Sequence, residues 1–157
     1  MMWPFTSVYR RFCNQAFDAL KTGNADMAKV LFEQAIRWDR RRPRAFAGLG
    51  TTYLYAAGGA TARGDDAAKL QYGDLSVRAF DEALRRETDP EWKAEHLWQK
   101  GVVLGLLGRM PEREPCWREA DGLVPGLTAQ RSPSAEMTPE EGATLYMRAI
   151  LRGRERK

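Results

Sequence analysis

Histidine is nearly missing from this chain: His96 stands alone among 157 residues. A histidine-rich metal site is thereby excluded. No carboxylate pair or thiol sits at ligand spacing from His96, so a packed or solvated ring is expected rather than a catalytic one. Cysteine is almost as scarce. Cys13 and Cys116 lie about a hundred residues apart with no C-x-x-C spacing. Two small buried thiols in a reducing compartment are the expectation. No apolar run approaches the roughly twenty residues that a spanning helix needs. The apolar start, Met1 to Phe5, meets Arg10 and Arg11 too soon for a signal peptide, and a cytoplasmic location is expected. Gly48-Leu49-Gly50 and Gly105-Leu106-Leu107-Gly108 follow no strand, and no G-K-[ST] is present. No nucleophile, base and oxyanion donor gather in the sequence. The expectation is a non-enzyme without metal or cofactor.

What is present is an ordinary globular composition, 43% hydrophobic and 29% charged, of single-domain length. The formal net charge is +4, and arginine outnumbers lysine. Arg37, Arg40, Arg41, Arg42 and Arg44 fall within eight residues. Such a basic turn can hold the phosphates of nucleic acid or an anionic surface. It can equally be a solvated turn that complements the end of the preceding helix. No aromatic interleaving or nucleic-acid module accompanies it, so nucleic acid is not the expected partner.

A repeating pattern dominates the chain. An aromatic precedes an alanine by three positions in three places: Phe32 and Ala35, Phe80 and Ala83, Trp117 and Ala120. Upstream of each lies a small residue, Ala16, Gly50 or Gly101. Ala16 precedes Ala35 by 19 and Gly101 precedes Ala120 by 19, while Gly50 precedes Ala83 by 33, which is 19 plus an insert of 14. Ala16 precedes Gly50 by 34. Two helices per period of about 34 residues indicate a helical repeat array.

Local signals place the helices. Thr6 or Ser7 can cap a first helix over about 8–21, which Gly23 ends. Asn24 caps a second that runs to about Trp38, with Asp26 in its first turn. Pro43 suits the first turn of a third, which continues to about Ala57. Gly58 to Asp66 reads as an exposed loop holding the insert. A fourth helix follows from Asp65 or Asp66, either broken at Gly73-Asp74 or continuous to about Glu87. Asp89 and Pro90 start a fifth helix that Gly108 closes, and Pro111 starts a sixth that ends near Gly122. Residues 123–137 read as a linker. Thr138 and Glu141 form a capping box for a seventh helix over 138–152, ahead of a basic tail.

The second period opens with Phe46-Ala47-Gly48-Leu49-Gly50-Thr51-Thr52-Tyr53 and closes with Phe80 and Ala83; the third carries Leu97, Gly101, Leu104, Trp117, Ala120 and Pro125; the first carries Phe12, Ala16, Ala19, Ala28, Phe32 and Ala35. On these residues, over roughly 8–127, the chain resembles the tetratricopeptide repeat family. The resemblance implies an all-α fold: a right-handed solenoid of three helix pairs, at about 8–41, 42–88 and 89–127, with a C-terminal packing helix.

It also implies a concave surface lined by the first helix of each pair. Family geometry and helical phase place Arg10, Cys13, Phe17 and Lys21, then Arg44, Ala47, Thr51 and Tyr55, then Glu95, Trp98 and Val102 on that surface. The lysine, arginine and asparagine clamp with which some members grip a C-terminal carboxylate is largely missing here. The implied function is non-catalytic protein binding, as an adaptor or chaperone-like module. A mixed wall of this kind suits a peptide with apolar anchors and some acidic residues. Phe17, Tyr55 and Trp98 are expected to form exposed anchors, unless residues 123–137 or the seventh helix cover them. Homo-oligomerisation stays open.

Overall fold

A computed structural model describes residues 4–131, and these are all-helical, with no strand among them. Seven helices follow in order: α1 (Pro4–Lys21), α2 (Ala25–Trp38), α3 (Pro43–Ala62), α4 (Asp66–Arg86), α5 (Pro90–Leu106), α6 (Met110–Leu123) and α7 (Leu127–Arg131). The expected helix over 138–152, the end of the 123–137 linker and the basic tail lie outside the described residues.

One turn recurs three times, and local chemistry explains it. Gly23, Gly64 and Gly108 all have φ near +70°, at 76, 70 and 73. Each follows the first helix of a pair, where a left-handed residue lets the chain reverse. The next residue's N–H then reaches back over the last turn: Asn24 to the Ala19 carbonyl at 2.9 Å, Asp65 to Ala60 at 2.9 Å, Arg109 to Leu104 at 2.8 Å. Asn24 and Asp65 also cap the following helices, accepting from Met27 N and Ala68 N at 3.1 Å each. Asp89 does the same for α5, accepting from Glu91 N at 2.9 Å.

Two boundaries differ from expectation. Helix α1 begins at Pro4, so Thr6 and Ser7 lie inside it rather than before it. The segment Gly58 to Asp66 is mostly helix: α3 continues to Ala62, and only 63–65 turn. Helix α4 runs unbroken through Gly73-Asp74. The 14-residue insert therefore lies within the two helices of the second pair, which reach 20 and 21 residues against 18 and 14 in the first pair and 17 and 14 in the third. The reason is packing. Ala57, Gly58 and Ala60 are buried, and small residues there let α3 and α4 run close along their length. That contact outweighs the roughly 1 kcal/mol by which each glycine disfavours a helix.

Packing is between chain neighbours, each helix on the next, with α1 also touching α3, α3 touching α5 and α5 touching α7. The aromatic of each second helix enters space that a glycine vacates. A Cβ on Gly48 would strike the Phe32 ring, one on Gly50 would lie 2.9 Å from Phe80, and one on Gly101 would strike the Trp117 indole. Phe32 and Phe80 are fully buried, and the Trp117 indole N–H donates to the Trp98 carbonyl at 3.1 Å. Phe80 and Trp117 thus mark the seam between the two helices of their pairs, whereas Phe32 fills the contact of α2 with α3.

Candidate functional site

The first helices α1, α3 and α5 lie side by side and carry the residues expected to line a binding face. Arg10 and Lys21 are exposed, and Arg44 and Val102 are half-buried. Tyr55 is exposed at 37%. The others face inward: Cys13 at 0%, Phe17 at 6%, Ala47 at 9%, Thr51 at 2%, Glu95 at 7% and Trp98 at 2%. The expected trio of exposed aromatic anchors reduces to Tyr55. Phe17 meets Phe32 edge-to-face at 5.0 Å, and the Arg44 guanidinium lies 5.3 Å from the centre of the Phe17 ring. Helical phase groups these residues along one side of each helix. It did not give the width of the contact, and a first helix packs against both its own partner and the next first helix.

The arginine turn is largely engaged within the chain. Asp39 ends α2, and its carboxylate accepts from the Arg41 N–H at 3.0 Å and pairs with Arg42 at 3.2 Å. Burial pushes the Asp39 carboxyl up, but the Arg41 amide and guanidinium outweigh it, with Arg42, and hold it below the usual range. Arg42 lies 5.2 Å over the Tyr9 ring. Arg44 also donates to Asn14 at 3.3 Å. Arg86, from the end of α4, lies 4.2 Å over Phe46 and donates to the Arg40 carbonyl at 2.6 Å. Arg37 and Arg40 keep exposed side chains.

No sequence signal indicated the polar contacts around α5. His96 Nε2 and Glu87 Oε1 meet at 2.9 Å, with side chains 5% and 10% exposed. The pair ties the end of α4 to α5, and His96 stacks on Trp92 at 6.2 Å. Glu95 pairs with Arg131 of α7. Gln99 is 2% exposed, and its Oε1 has no hydrogen-bond partner. Helix α7 is too short to show a period in sequence. It also falls where 123–137 reads as linker. It nevertheless packs on α5 and α6, with Leu127 buried and Thr128 N donating to Asp121 at 2.8 Å.

Burial pushes the Cys116 thiol up, away from thiolate character at neutral pH. Burial likewise raises the Tyr9 phenol, with the neighbouring Cys13 adding to the effect. That hydroxyl accepts from Ala45 N at 2.9 Å, a structural role at the α1–α3 contact. Among the described residues, no group of three or more histidine, cysteine, aspartate or glutamate side chains is placed to hold a metal ion. No described helix is long and apolar enough to cross a membrane. Set against known proteins, the chain matches no protein-family model and no curated protein.

Proposed function

We propose that this chain is a tetratricopeptide-like solenoid whose work is non-covalent protein binding, with a peptide segment of a partner laid along the row of first helices. The observation that carries this reading is the packing order. Every helix contacts its chain neighbour, and the first helices also contact one another, α1 with α3 and α3 with α5. Three turns with the same left-handed glycine and the same back-reaching hydrogen bond support a repeated unit. Stacked helix pairs present an extended surface suited to segments of other chains.

The open part of that surface is basic and carries one aromatic: Arg10, Lys21, Arg44 and Tyr55. The favoured partner is a segment with acidic residues. Full-length protein is immobilised beside an Arg10→Glu, Lys21→Glu variant, and proteins captured at low and high salt are identified. A partner retained by wild type and lost by the variant supports the reading. Recovery of nucleic acid, with a steep fall in salt, would put the electrostatic alternative in its place.

A further inference from the structure

We propose that Glu95 and Gln99 form a seat for an arginine of a partner protein, and that α7 fills this seat in the free chain as a built-in stand-in. The inference rests on the protein-binding reading above and names a partner feature at its α5 end. Glu95 is a carboxylate within α5 that is only 7% exposed. A charge so placed requires a counter-charge, and the chain brings one from a separate element, Arg131 at the end of α7. The approach is shallow: the Arg131 side chain keeps 32% of its surface exposed against 9% for Glu95.

One turn further along α5, on the same face, the buried Gln99 Oε1 accepts no hydrogen bond. A guanidinium carries five N–H donors in a rigid fork, so a more deeply seated arginine can engage Glu95 and Gln99 together. The occupant's own pattern supplies the partner's chemistry. Leu127 is buried at 5%, and Arg131 follows four residues later on the same side of the helical turn. The matching ligand is a short helical segment with an apolar residue and an arginine four positions after it. Only residues 124–126 join α7 to α6, so the tethered occupant competes at an effective concentration of about a millimolar. A partner segment binds when it exceeds that competition.

The probe is a fluorescent peptide with the sequence of residues 124–131, titrated by anisotropy into full-length protein. Wild type is compared with a Leu127→Ala, Arg131→Ala variant whose own α7 has lost its buried leucine and its arginine. Binding to the variant is expected to be at least tenfold tighter than to wild type. A peptide with alanine in place of its arginine, or Glu95→Gln added to the variant, should each weaken that binding at least tenfold. A thermal melt verifies folding; if the double variant does not fold, Arg131→Ala alone reads the same competition. Equal affinity for wild type and variant, binding that ignores the arginine, or no binding to the opened protein overturns the proposal. Such failure beside retained Arg10- and Lys21-dependent capture removes the arginine seat alone, whereas loss of that capture counts against the peptide-binding reading itself.

Discussion

The two ends of the row of first helices bury their side chains by different means. At α1, the interior is apolar, and the arginines come from outside to cover rings: Arg44 over Phe17 and Arg42 over Tyr9. Those guanidiniums stay partly in water, and a cation over a ring loses little hydration. At α5, the buried groups are themselves polar, Glu95, His96 and Gln99. There each partner forms a specific pair: Glu87 for His96 and Arg131 for Glu95. The α1 end is therefore tolerant, because a lost arginine uncovers a ring. The α5 end is demanding, because a lost partner strands a charge. The additional helix α7 stands at the demanding end.

Removing the interior rings tests this contrast most severely. Phe17→Ala and Trp98→Ala should each cost about 3–5 kcal/mol, as large-to-small changes at buried sites do. Tyr55→Ala on the open face should stay within about 1 kcal/mol. Chemical denaturation midpoints measure all three. Midpoints for Phe17→Ala and Trp98→Ala that match Tyr55→Ala would return both rings to the surface.

The covering pair comes next. Arg131→Ala should cost about 1–3 kcal/mol, since it leaves the Glu95 carboxylate buried without its counter-charge. Adding Glu95→Gln should restore part of that loss, giving a favourable coupling in a double-mutant cycle. Strict additivity of the two changes would show that the contact contributes nothing to stability.

The smallest effect belongs to the α1 end. Arg44→Ala should cost about 0.5–1 kcal/mol, the usual range for a cation–ring contact that stays partly in water. An Arg44→Ala cost equal to that of Arg131→Ala would erase the difference between the ends.

Much of the helical frame is legible from neighbouring residues. Gly23, Asn24, Asp89, Pro90 and Gly108 act where their side chains and φ preferences say they should, because caps and turns need only a few adjacent groups. The Gly58-Gly59 pair misleads for the same reason: seen alone it breaks a helix, yet α3 passes through it while packing along α4. The candidate face is legible as a direction but not as a surface. Phe17 and Trp98 share the phase of Tyr55 and are nevertheless covered. Glu87, Asp121 and Arg131 carry no signal, since each acts on a residue that lies on another helix.

By itself, then, the sequence determined what short-range chemistry can determine: a run of helices, the turns between them, and the recurring aromatic and small residues along their faces. Those choices follow from backbone preference and from a period of 3.6 residues, which act over one or two turns. Tertiary structure alone decided which residues of each amphipathic face stayed open to a partner. It turned the insert into longer helices, buried Phe17 and Trp98, and brought Arg131 back onto Glu95 across 36 residues. Exposure is a property of what lies opposite a side chain, and that neighbour is supplied by distant parts of the chain.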